Sequence, residues 1–191
     1  MDINKQDLTP PPWDDPGSRA RIRRLSAWMR WMSATGALTL LLLPPVFWSQ
    51  QGWVRAVATS NWGVGEFNTG AAARLAGLLG CLPQMIVGLW AMWEIWSLFG
   101  CYGRGTLLTA QPARHLHRLG RALIVLAVAM PLSDTLVALA LTWQNAPGHR
   151  QLVLNFSGQD YMALLFGLML LALATVLREA ARVAQEHAEF V

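Results

Sequence analysis

Charge is what this sequence has least of. Asp, Glu, Lys and Arg make up 14% of its 191 residues, where about 25% is usual in soluble domains. With 54% apolar residues beside so little charge, a disordered tail protein, a coiled coil and an ordinary soluble domain are all excluded. Cysteine is scarce as well. Cys81 and Cys101 are the only two, and on the single straight helix expected here they stand roughly 30 Å apart, beyond the reach of a disulfide. Cysteine usage therefore reports nothing about redox compartment. Gly103-Arg-Gly105 lacks the further glycines and the Lys-Ser/Thr of a nucleotide loop. No nucleic-acid motif accompanies the basic residues.

What remains points to lipid. The chain has ten Trp and an excess of 15 basic over 11 acidic residues, with a mean hydropathy of +0.33 and a pI near 9.8. Basic residues beside apolar spans set topology and meet anionic head groups, so the high pI does not call for nucleic acid. An ionised side chain at the bilayer centre costs about 2.5 to 3.5 kcal/mol, which makes uncharged windows the cleanest signal. Four stand out: Trp31 to Val54, Leu75 to Phe99 with Glu94 near its end, the stretch after Arg121 up to His149 broken by Asp134, and Tyr161 to Leu177. They predict spans at about 31–50, 75–99, 121–143 and 160–178, each near the 20 residues that a bilayer requires. Trp90, Trp93 and Trp96 read as an interfacial girdle. The first window is too long, and too far from the N-terminus, for a signal peptide, so it is read as an uncleaved span.

Orientation follows from the basic residues. With four spans, Lys5, Arg19, Arg21, Arg23, Arg24, Arg30, Arg104, Arg114, Arg118, Arg121, Arg178 and Arg182 share one side, against Arg55, Arg74 and Arg150 on the other. That asymmetry puts both termini in the cytoplasm. The expected fold is an all-α membrane protein: an antiparallel four-helix transmembrane bundle, residues 28–191, behind a mobile basic tail, residues 1–27. Leu116, Leu119 and Leu123 recur at helical spacing opposite Arg114, Arg118 and Arg121. They predict a short cytoplasmic interfacial helix feeding into span three, with Thr109 as its N-cap and Pro112 in its first turn. Val54 to Thr59 and Arg150 to Phe156 are expected as a pair of short strands. Gly77, Gly80, Gly88 and Gly167 are read as places of close helix packing.

Tyr102-Gly-Arg-Gly-Thr-Leu-Leu-Thr109, followed by Leu119-Gly120, resembles the signature of a bacterial family, domain-of-unknown-function family 2975. The charged helix from Leu177 to Val191 is similar to the end of that family. Thr106 stands where the family commonly has an acidic residue, and Leu108 where it has Phe. The resemblance implies a small, uncharacterised four-span inner-membrane protein, with Tyr102, Arg104, Gly105, Thr109 and Gly120 as its cytoplasmic motif. Genes of the family often lie beside small helix-turn-helix regulators, which points toward regulation.

Two acids are the candidate intramembrane polar site. Asp134 counts about 20 Å from the cytoplasmic end of span three, close to mid-membrane. It reads either as a titrating carboxylate or as a hydrogen-bonding link between helices, with Ser133, Thr135 or a Trp indole as partner. Glu94 counts about 6 Å from the cytoplasmic end of span two, too shallow to share a proton with Asp134, and is expected to reach the interface or to pair with Arg104 or Arg118. His115 and His117 point about 200° apart on a helix and do not form a chelate. No catalytic, cofactor or metal residue is expected. The resulting expectation is a non-enzymatic accessory or regulatory protein working through its cytoplasmic faces. Its partners would be the bilayer, a cytoplasmic regulatory protein and further copies of itself, and not nucleic acid. The alternative is a small oligomeric transporter or proton-coupled carrier using Asp134.

Overall fold

The computed structural model describes residues 16–60, 70–104, 110–143, 145 and 156–189. Among them are six helices and no strand: α1 (Pro16–Ser49), α2 (Gln51–Ser60), α3 (Ala71–Gly80), α4 (Leu82–Gly103), α5 (Ala110–Thr142) and α6 (Gly158–Glu189). Four of these, in α1, α4, α5 and α6, are long and apolar enough to cross a membrane.

Small residues place α5 at the centre. Ala113, Ala122, Ala127, Ala129 and Ala138 are buried along it, and the absence of bulk on that surface lets neighbouring backbones approach. One flank takes α4 and the other takes α6, while α1 lies against the far side of α4. All neighbours run antiparallel. Along α1 from its N-terminal to its C-terminal half, Ser33 donates to the Met92 carbonyl of α4, Leu40 meets Gly88, and the Trp48 ring covers Gly77 of α3. Between α5 and α6, Gly120 faces Gly167 so closely that a Cβ on either would stand 2.9 Å from the other's carbonyl oxygen. The outward faces of α1 and α6 carry large exposed aliphatics such as Leu41, Leu42, Leu165 and Leu168, the composition expected where lipid tails rather than protein complete the packing.

Three expectations are revised. The expected second span is divided at Cys81, which is neither in α3 nor in α4. Pro83, in the first turn of α4, has no N–H for the Leu79 carbonyl and its ring crowds that turn; the Cys81 N–H instead reaches the Gly77 and Leu78 carbonyls. Both cysteines are free thiols. Residues 16–27, assigned to the tail, belong to α1, where Ser26 is buried. Val54 to Thr59, expected as a strand, lies in α2. Its buried residues Val54 and Ala58 fall at i, i+4 and join Trp48, Val137 and Leu141 in one cluster, so tertiary packing outweighs β-branched content. The proposed partner strand lies outside the described residues except for Phe156, which is exposed and belongs to no strand. The predicted interfacial helix and span three form a single helix, α5, of 33 residues with Pro112 in its first turn.

Candidate functional site

Trp90 and Glu94 are four residues apart on α4, so their side chains share one face and lie one above the other. The Trp90 indole N–H donates to Glu94 Oε1 at 3.2 Å. From α5, His115 Nδ1 stands 2.7 Å from Glu94 Oε2, and Arg118 Nη1 stands 4.0 Å from Oε1. Glu94 is only 3% exposed. As a carboxylate it accepts from the indole and from the Nδ1–H of His115, and with both oxygens engaged the burial of its charge is compensated. Its surroundings are apolar: Ala91, Leu119 and Ala122 form a buried cluster with Trp90, Ile95 and Leu170. The site is therefore a polar clasp within a dry helix contact.

Glu94 is enclosed between α4 and α5 rather than exposed at a helix end. The helix continues beyond Phe99 to Gly103, which sets Glu94 about 14 Å from the C-terminal end of α4 instead of about 6 Å. Of its two expected cations, Arg118 is near and Arg104 is not; Arg104 donates to Cys101 Sγ at 3.6 Å. His115 and Trp90 are the partners that sequence reasoning missed. The i, i+4 spacing of Trp90 and Glu94 was a readable signal, whereas the His115 contact depends on the register between α4 and α5.

Asp134 sits elsewhere. Its neighbour Ser133 accepts from the Gln84 backbone N–H at 3.3 Å, and Asp134 is close enough to Cys81 to act on it electrostatically. Asp134 is thus level with the N-terminal end of α4 rather than with its middle, because α5 starts at Ala110 and crosses α4 with Leu116 beside Leu98. It is only partly buried. Thr135 donates to the Pro131 carbonyl at 2.8 Å. Gln84 and Glu94 are about 15 Å apart along α4, so the two acids form no dyad.

The motif residues are spread rather than gathered. Tyr102 stacks edge-on to Phe99 at 5.7 Å and packs against the cluster of Leu98, Leu116 and Ala174. Arg104 ends α4. Gly120 is the close contact of α5 with α6. Gly105 and Thr109 lie outside the described residues. His117 follows α5 two residues after His115, and among the described residues no three His, Cys, Asp or Glu side chains converge as a metal site would require.

These features define a helical multi-pass membrane protein whose central helix contact encloses a hydrogen-bonded carboxylate. The model of the family described as Protein of unknown function (DUF2975) matches residues 24–191, and the chain belongs to that family. No curated protein and no solved structure matches it.

Proposed function

We propose that this protein is a non-enzymatic accessory or regulatory protein of a bacterial inner membrane, with both termini cytoplasmic, that acts on a cytoplasmic regulatory protein through the inner ends of its helices. The reading rests above all on the continuity of α5 and α6. They have 33 and 32 residues, or about 50 Å each, against a hydrocarbon layer of about 30 Å. Each runs without a break from an apolar span into a charged end. At those ends Leu98, Leu116, Ala174 and Leu177 pack together, so a force applied outside the bilayer is carried into the helix contacts within it. The basic asymmetry across the spans supports the orientation.

Affinity capture from the native membrane tests this, comparing the full chain with one ending at residue 183, just past the buried Ala181. A regulator loses its cytoplasmic partner with the truncation, and capture that is unchanged overturns the reading. The alternative is a proton-coupled carrier, and it draws on the partly exposed Asp134 in an otherwise uncharged stretch of α5. Reconstituted vesicles separate the two: flux abolished by Asp134→Asn establishes the carrier, and partner binding indifferent to that change supports the regulator.

A further inference from the structure

The exposed side of α5 changes character along its length. Arg114, Arg118 and Arg121 are all exposed, and at spacings of four and three residues they share one face. The same face continues as Val125, Val128 and Leu132, which are 45%, 64% and 50% exposed. Cation gives way to aliphatic within one helical turn. Arg114 and Arg121 make no ion pair among the described residues, and Arg118, with a side chain 58% exposed, has only Glu94 at 4.0 Å. Three guanidinium groups thus face outward beside one buried carboxylate, leaving a local excess of positive charge exactly one turn from a hydrocarbon-facing surface.

We propose that the stripe of Arg114, Arg118, Arg121, Val125, Val128 and Leu132 is a binding site for an anionic phospholipid. The arginines hold the headgroup phosphate, for which the planar guanidinium fork is well matched. The aliphatic side chains lie along an acyl chain. Arg118 has donors to spare, so it spans the phosphate on one side and Glu94 on the other, and the lipid becomes a cap on the clasp between α4 and α5. The basic run on α1 differs in pattern. Arg21, Arg23 and Arg24 are exposed, but Arg23 lies off the face shared by Arg21 and Arg24. That face continues through Trp28 and Trp31, 67% and 72% exposed, which are interfacial anchors rather than an acyl groove.

The test is native mass spectrometry of the full chain released from nanodiscs containing phosphatidylcholine and phosphatidylglycerol, scoring retained phosphatidylglycerol. The full chain retains it in preference to phosphatidylcholine. Arg121→Gln alone, at a position without an ion pair, lowers retention roughly fivefold, and the triple change of Arg114, Arg118 and Arg121 to Gln lowers it roughly a hundredfold, in line with about 1 kcal/mol per basic residue near an anionic surface. The corresponding triple Lys variant keeps most of the retention. Changing Arg21, Arg23 and Arg24 to Gln, which removes the same charge, leaves it within about twofold. Equal losses from the two Gln triples would reveal diffuse charge attraction and overturn the site, as would no loss from either. Inorganic phosphate added in excess leaves the lipid bound; displacement by phosphate alone would remove the acyl-chain half of the proposal.

Discussion

His115 Nδ1 on α5 lies 2.7 Å from Glu94 Oε2 on α4, the shorter of two hydrogen bonds described between these helices, the other running from the Gln84 N–H to Ser133 Oγ at 3.3 Å. Two helices in a bilayer gain little from burying apolar surface against each other, since lipid tails serve as well. A contact that only one register satisfies therefore has a large share in fixing how α4 and α5 meet.

Removing His115 leaves the buried carboxylate with the Trp90 indole and a distant, solvent-facing guanidinium. His115→Ala should destabilise the protein by about 1 to 3 kcal/mol, the cost of leaving a buried acceptor without its hydrogen-bond donor. Arg118→Ala should cost less than about 1 kcal/mol, as an exposed pair does. Reversible unfolding in mixed micelles measures both; similar losses would mean that the hydrogen bond from His115 contributes no more than the longer contact from Arg118.

The glycines of the helix contacts divide into two kinds. A Cβ at Gly167 would meet Ile124 Cγ1 at 2.8 Å and the Gly120 carbonyl oxygen at 2.9 Å, and the backbone oxygen cannot move aside. Gly167→Ala should push α6 away from α5 and lower the thermal midpoint. At Gly100 a Cβ would meet nothing within 4 Å, so Gly100→Ala in the last turn of α4 should stabilise by about 0.4 to 1 kcal/mol through the backbone entropy of the unfolded chain. Opposite signs in the same thermal assay are the expected outcome.

Trp48 ties the end of α1 to the short helices α2 and α3. It is 4% exposed and packs with Val54, Ala58, Val137 and Leu141 while its ring covers Gly77. Trp48→Ala should cost about 3 to 5 kcal/mol. Because Trp48 packs directly on Val54 and Ala58 of α2, amide exchange within α2 should quicken in the same variant.

Thiol chemistry offers a simple check on the break between α3 and α4. Cys101 is 2% exposed, and Cys81 is partly exposed at the junction. A membrane-permeant maleimide should label Cys81 first and Cys101 only on unfolding. Mass analysis without reductant should find no bond between them, which the length of α4 forbids.

The membrane class, the four spans and the charged first turns of α5 were legible in the sequence because each depends on local composition alone. An uncharged window long enough to cross lipid is recognisable wherever its neighbours lie, and Leu116, Leu119 and Leu123 declare a helix by their period. The packing glycines were legible for the same reason. The partner of Glu94 was not, since the helical period places His115 on a face of α5 but says nothing about how far α5 slides along α4. The level of Asp134 relative to α4 was not legible either, since it depends on the same register: α5 is one helix from Ala110, and Ser133 meets Gln84 near the head of α4.

Composition and period by themselves thus determined that the chain is helical, crosses a membrane and keeps its basic residues mostly to one side. Only the tertiary structure decided that the expected second span is divided at Cys81, that residues 54–59 are helical, and that His115 clasps Glu94. The reason is physical. Burial of apolar helices in lipid is almost indifferent to their relative register, so register is set by a few close contacts, Gly120 on Gly167 and Glu94 with His115, between residues distant in sequence.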